Sequence, residues 1–450
     1  MDISRREFLK GALASLGMGA FGPVFAAPPG WRRPAKANLV FGLVSDTHLR
    51  TDMTGGRLAS PDGYLLAALR HFREQGVDAV AHCGDMADRG QIAELEFHAE
   101  IWRRVFGDGG PVKLFVAGNH DVEGFRYGLG RQMRVDRIYP DPEEMTAHLL
   151  AADFAAAWER VWGEKYERVW HKTVKGYHFF GRHWDVDESE LAKALEGFTA
   201  PGAKPFFLLS HERSMKLADS PLDLKSAVGF FGHWHCTGAN WNQIHFFPGY
   251  SFPNIQVPSS SSYGRFGFGK DAYISKAPLE GADAAKKGYQ GYVVRVYDDF
   301  LAIECREFSE GGVVRPDWIM PFGKYEPHPF AKGELKKWIG RPQFRAGAKL
   351  EAVRNGDALQ ISIPQADGNP DSRVYAYELA IDGGGEKLLK AVYFSGAHMG
   401  VGREPDGGAT TLTIPAAELP PGGTLAISAV PLSSLGTRGA AITERFEVVS

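Results

Sequence analysis

Seven side chains with metal-binding chemistry follow one another in a fixed order, each just past the end of an apolar, β-prone run. They are Asp46 and His48, Asp85, Asn119, His211, and then His233 with His235. Ligands so far apart can serve one site only if their strands lie in a common frame, which restricts the fold to one that gathers strand ends. The run from Leu39 to Ser45 delivers Asp46-Thr47-His48, and residues two apart in extended chain point the same way. Val77 to Cys83 leads into Gly84-Asp85-Met86-Ala87-Asp88-Arg89-Gly90, and Val112 to Ala117 leads into Gly118-Asn119-His120-Asp121. Pro205 to Leu209 leads into Ser210-His211, and Ala227 to Phe231 into Gly232-His233-Trp234-His235. These side chains are expected to meet at one sheet edge.

The donor types suit a pair of cations. Asp85 offers two oxygens and can bridge two ions, Asn119 is a neutral hard ligand, and alternate imidazoles in Gly-His-Trp-His can each face a different ion. Two divalent ions about 3.5–4 Å apart stabilise both the attacking and the leaving oxygen of an in-line phosphoryl displacement. Mixed oxygen and imidazole donors favour manganese, iron or zinc over magnesium or calcium. A water shared by both ions loses a proton near neutral pH and becomes the nucleophile. An imidazole with a pKa of about 6.5 can then protonate the leaving alkoxide. His120 fits that role beside Asn119, with Asp121 as a partner for its ring. Each motif alone has a plainer reading: Asp-x-His as a surface turn, Gly-Asn-His-Asp as a turn signal, Gly-His-Trp-His as a loop. Their joint occurrence in order favours the metal site.

The set D-x-H, GD, GNH(D/E), H, GHxH resembles the calcineurin-like metallophosphoesterases, and among them the class III phosphodiesterases, over Leu39 to Glu307. That resemblance implies Asp46, His48, Asp85 and His235 around one metal, and Asp85, Asn119, His211 and His233 around the other. It implies His120 as general acid, held by Asp121. The implied fold is α/β, a four-layer αββα sandwich. The implied activity is phosphoester hydrolysis with two divalent or mixed-valence ions (Mn, Fe or Zn), with a phosphodiester as substrate, such as a nucleotide or lipid head group. A phosphomonoesterase of the same fold and a non-catalytic envelope-binding protein with a vestigial site are the alternatives. Purple acid phosphatases carry a metal-bound tyrosine near the place where this chain has Asp88, so the sequence departs from that branch.

Outside the motifs, Arg89 either holds a phosphate oxygen or pairs with Asp88, and Arg213 is open to the same two readings. The stretch 122–172 is longer than a simple connection and carries an expected helix from Met145 to Trp162. Trp158, Trp162, Tyr166, Trp170 and Trp184 make this neighbourhood aromatic; they form either buried packing or a lid that stacks on a substrate ring. Helical spacing covers Tyr64 to Phe72, closed by Gly76, and a second helix is expected from Ile92 to Phe106. The second sheet is expected to include Tyr177 to Gly181, Gly291 to Val296 and Leu301 to Glu307.

With 450 residues, more than one domain is expected. Ser4-Arg5-Arg6-Glu7-Phe8-Leu9-Lys10, then a weakly apolar stretch ending in Ala26, looks like a twin-arginine signal peptide over residues 1–26. A periplasmic location follows from it, with no transmembrane segment after cleavage. The catalytic domain is expected over 38–310 and a connector over 311–342. Residues 343–450 read as a small all-β domain resembling a fibronectin III or immunoglobulin-like module, suited to envelope contact. A net charge of −3 gives no general nucleic-acid footprint, and three cysteines, one of them in a buried strand, argue against a disulfide framework.

Overall fold

The computed structural model describes residues 36–51, 62–122, 153–198, 204–218, 220–246, 249–261, 289–308, 311–322, 331–368, 374–383, 386–395, 409–415, 417 and 423–448. The expected signal peptide and most of the 122–172 stretch lie outside them.

Among the described residues up to Pro321, twelve strands form two sheets. They are β1 (Leu39–Val44), β2 (Ala79–Cys83), β3 (Val112–Val116), β4 (Val169–Val174), β5 (Tyr177–Arg182) and β6 (Phe206–Ser210). They continue as β7 (Ala227–Phe231), β8 (Ile244–His245), β9 (Asn254–Gln256), β10 (Gln290–Val296), β11 (Phe300–Glu307) and β12 (Gly312–Pro321). One six-stranded sheet has the order β12-β11-β10-β1-β2-β3, the other β4-β5-β6-β7-β9-β8. The central strands β1-β2-β3 and β5-β6-β7-β9 run parallel. Every residue of β2, β6 and β7 is buried, which explains their unbroken apolar runs, because a strand covered on both faces has no polar side to show.

The sheets pack face to face. Phe41 of β1, fully buried, meets Phe179, Phe207 and Phe230 of the opposite sheet with centroids 5.4, 5.2 and 6.0 Å away. Helices Asp62–Glu74, Ile92–Phe106 and Phe154–Trp162 cover the outer face of the first sheet through Leu65, Phe72, Leu95, Trp102 and Trp158. Helix Glu188–Leu195 covers the second through Leu191 and Leu195. The result is the four-layer αββα sandwich. Phe41→Ala should destabilise it by about 3–5 kcal/mol, since three opposing rings cannot all collapse into the space left. Chemical denaturation reads this directly; a change under about 1 kcal/mol would mean that the sheets are not held together there.

Two expectations fail. β10 and β11 belong to the first sheet, not the second: β10 pairs antiparallel with β1, Phe41 opposite Val294. β2 occupies only one edge of β1, and an apolar hairpin can close the other edge as well as it could extend the second sheet. The connector expected over 311–342 begins with a strand instead. β12 is the outermost strand of the first sheet, and its pairing with β11 is irregular between Ile303 and Cys305, so Pro316 is tolerated there. The helix expected from Met145 starts at Phe154 among the described residues, capped by Asp153, whose side chain accepts from the Ala156 N–H; residues 145–152 lie outside them.

The rest is β. The sheet of Glu351–Asn355, Ala358–Ile363 and Thr410–Pro415 has three strands, and that of Glu386–Phe394, Ala376–Gly383, Gly423–Leu432 and Ile442–Val448 has four. Ile361, Ile363 and Ile414 from the one pack with Leu379, Leu425 and Ile427 from the other. This is the small all-β unit that the sequence pattern implies. Cys83, Cys236 and Cys305 are buried. Among the described residues no helix is long and apolar enough to cross a membrane.

Candidate metal centre

The five motif loops converge, but not at one sheet edge. Asp46, His48, Asp85 and Asn119 follow strands of the first sheet, and His211, His233 and His235 follow strands of the second, so the site forms where the ends of both sheets meet. Nor does strand alternation aim Asp46 and His48. Both are left-handed, with φ of 54° and 43°, as are Asp85, His233 and His235 at 57°, 75° and 49°. Only one other described non-glycine residue, Lys175, has positive φ. Such backbone costs of order 1–3 kcal/mol per residue and persists where the surroundings over-determine it, which marks functional sites. At Gly118 a Cβ would fall 2.1 Å from Asp85 Oδ1, and at Gly232 one would fall 1.9 Å from Ser45 Oγ. Both motif glycines let the backbone approach the donors.

Three donor groups result, one of them His48, Asp88 and His120, and the other two share Asp85. Asp46, His48, Asp85 and His235 form the first of that pair and Asp85, His211 and His233 the second, the donor atoms within each lying within 4.8 Å of one another. His48 Nε2 and His235 Nε2 are 3.0 Å apart, with Asp46 Oδ1 3.4 Å from His235 Nε2 and Asp85 Oδ2 3.6 Å from His48 Nε2. In the second group Asn119 Oδ1 is 3.0 Å from both His211 Nε2 and His233 Nδ1, and Asp85 Oδ2 is 3.1 Å from His211 Nε2. Asp85 is common to both.

The second ring nitrogens of His211, His48 and His235 face polar groups, which leaves the first of each for ligation. His211 Nδ1 is 2.7 Å from the Cys83 carbonyl, and His48 Nδ1 is 3.2 Å from Asp88 Oδ1. Ser259 Oγ is 3.5 Å from His235 Nδ1. Burial disfavours a charged His48, but its hydrogen bond to Asp88 and the charges of Asp85, Asp88 and Asp46 outweigh that and raise it to about 9. Burial disfavours a charged His211 too, and the Asp85 carboxylate overturns this, again to about 9. Burial opposes ionisation of Asp85, yet His211 and His48 hold it below the usual carboxylate range. The carboxylates favour positive charge on His48 and His211, whereas burial and the His211 charge lower His233. Divalent cations supply that positive charge and leave the imidazoles neutral to ligate, so the donor set fits two metal ions.

His120 lies beside this nest, its ring centroid 4.6 Å from that of His48 and its backbone N–H donating to Asp85 Oδ1 at 2.9 Å. Its Nδ1 is 2.7 Å from the Asp88 carbonyl, so Nδ1–H donates there and Nε2 faces other chemistry. Asp121 does not have the ring-holding role expected of it. Its carboxylate, buried, accepts N–H bonds from Ala87 at 2.8 Å, Gly118 at 2.8 Å and Met86 at 3.3 Å, which ties the second and third motif loops together. His120 and Asp121 are neighbours in a helical turn, where consecutive side chains do not face each other. Burial and then the Asp85 charge raise Asp121 to about 6, against the Ala87 and Gly118 N–H groups.

Asp88 is the residue that sequence reasoning undervalued. Its carboxylate faces His48, its carbonyl takes the His120 ring, and Arg50 Nε holds it at 2.8 Å. The signal was present as an acid three places after Asp85, but Arg89 drew it off as a partner; Arg89 Nε lies 3.8 Å from Asp88 Oδ2. Arg213 is held by His245 Nδ1 at 3.1 Å and lies over the Trp234 ring at 4.8 Å. The aromatic group divides: Trp158, Trp162 and Trp170 are buried packing, whereas half-buried Trp184 stands against His233, centroids 5.2 Å apart.

A family model described as calcineurin-like phosphoesterase matches residues 39–237, which span all seven donors. The chain carries a calcineurin-like metallophosphoesterase domain. Among solved structures, this domain's chain is similar to a purple acid phosphatase from yellow lupin (Lupinus luteus), at 14% identity and a TM-score of 0.41, over 62% of this chain and 53% of that one. It thus spans about half the length of the lupin enzyme. A dimetal phosphatase from Danio rerio is similar at 12% identity and a TM-score of 0.34, over 64% of this chain and 100% of that one. GAP50 of Plasmodium, an anchor in the inner membrane complex, is similar at 12% identity and a TM-score of 0.35, over 65% and 91% of the two chains. No curated protein sequence matches this chain.

Proposed function

We propose that the chain is a binuclear-metal phosphoester hydrolase acting on phosphodiesters. The observation that carries this reading is one carboxylate, Asp85, common to two convergent donor groups. Asp46, His48, Asp85 and His235 would hold one ion, and Asp85, Asn119, His211 and His233 would hold the other. The ions, manganese or an iron- or zinc-containing pair, neutralise phosphoryl charge and acidify water when bound. The chain's own residues do the rest. Asp88 fixes the His48 ring, so the His48 donor atom is aimed before any ion arrives. His120, with Nδ1 tied to the Asp88 carbonyl, releases the proton of Nε2 to the departing oxygen. Arg89, beside Asp88, contacts a phosphoryl oxygen.

The wider reading has the chain exported folded by its twin-arginine signal to the periplasm, with residues 343–450 as an accessory domain for envelope contact. Small-molecule or lipid phosphodiesters are its substrates. Mature protein loaded with manganese and assayed on bis-aryl and mono-aryl phosphates tests the activity, with elemental analysis beside it. Faster turnover of the bis-aryl ester is expected. The reverse order makes it a phosphomonoesterase, and no turnover with two ions bound makes it a binding protein.

A further inference from the structure

Trp184 and His120 flank different halves of the centre. The Trp184 ring lies 5.2 Å from His233, inclined by 33°, and 5.7 Å from His211, whereas the His120 ring lies 4.6 Å from His48. Its place is fixed by the backbone: the Trp184 N–H donates to the Ala117 carbonyl at 3.1 Å, and the Ala117 N–H donates to His183 Nδ1 at 2.9 Å. His183 is buried, with the rings of Tyr166 and Trp158 4.6 and 5.0 Å from its own. The aromatic segment around Phe154–Trp162 therefore braces His183. His183 and Trp184 together grip Ala117, two residues before Asn119. A half-buried indole set this firmly beside two donors is a rigid apolar wall.

We propose that Trp184 is a specificity-determining residue, the platform for the organic group that stays on phosphorus, and that the group it takes is planar and aromatic. The inference rests on the hydrolytic reading above. The oxygen of water bonds to phosphorus, the bond to the leaving oxygen breaks, and the proton of His120 goes to that oxygen. The group on the His48 side then leaves and the group on the His233 side remains. The product is the phosphate monoester of the group held on Trp184.

Calorimetric binding to the metal-loaded protein tests this without turnover, with phenylphosphonate and methylphosphonate as stand-ins for the two kinds of retained group. The wild type should bind phenylphosphonate about three- to tenfold more tightly, the range expected of an aromatic contact. In Trp184→Ala, with two ions still bound, the two affinities should converge, and Trp184→Phe should keep most of the preference. Equal affinities in the wild type, or a preference that survives in Trp184→Ala, overturn the platform and leave hydrolysis standing. Failure of the loaded protein to bind either phosphonate overturns both readings.

Discussion

Asp85→Asn will leave the protein with fewer than two bound ions and will cost more than about 100-fold in activity. Removing a group that only orients a metal ligand costs about 10–100-fold, and a carboxylate common to both donor groups has more to lose. The substitution is well suited to the question because asparagine tolerates the left-handed backbone that Asp85 adopts at φ 57°. The change is therefore one of charge and donor capacity rather than of conformation. Asp85 Oδ1 also accepts the His120 N–H at 2.9 Å, a bond that an amide oxygen can keep. Elemental analysis and activity should fall together. Two ions per chain in the variant would mean that Asp85 is not their bridge.

Much of this centre could be read from the chain, and the reason is local. Each donor lies within a few residues of an apolar run, so Asp46, Asp85, Asn119, His211 and His233 announce themselves as strand-end residues whichever sheet their strand joins. What failed was decided between distant segments. β10 and β11 were equally good strands for either sheet, and only the open edge of β1 settled the matter. Asp121 is next to His120 in sequence, yet three backbone N–H groups from two loops claim its carboxylate. The ring goes to a carbonyl 32 residues away. The positive φ values were invisible for the same reason: residue type permits such backbone at Asp46, Asp85, His48, His233 and His235 but does not require it. In each case the site bends local preference to its own geometry.

Asp88 sharpens what His120→Asn should do. Because the Asp88 carbonyl fixes Nδ1 and its carboxylate faces His48, one loop sets both the proposed proton donor and a candidate metal donor. Asparagine removes the titrating nitrogen while its amide can still donate to that carbonyl, so the loop and the metal content should hold. General acid catalysis contributes about 10²–10⁴-fold, but only where the departing oxygen needs a proton. Esters of acidic phenols should lose little in the variant, and esters of alcohols should lose up to the whole of that factor. A plot of log(kcat/KM) against leaving-group pKa should therefore steepen relative to the wild type, with two ions still bound. Parallel lines for the two proteins would remove His120 from the proton-transfer step and restrict it to binding, since a residue that only grips phosphate slows every ester alike.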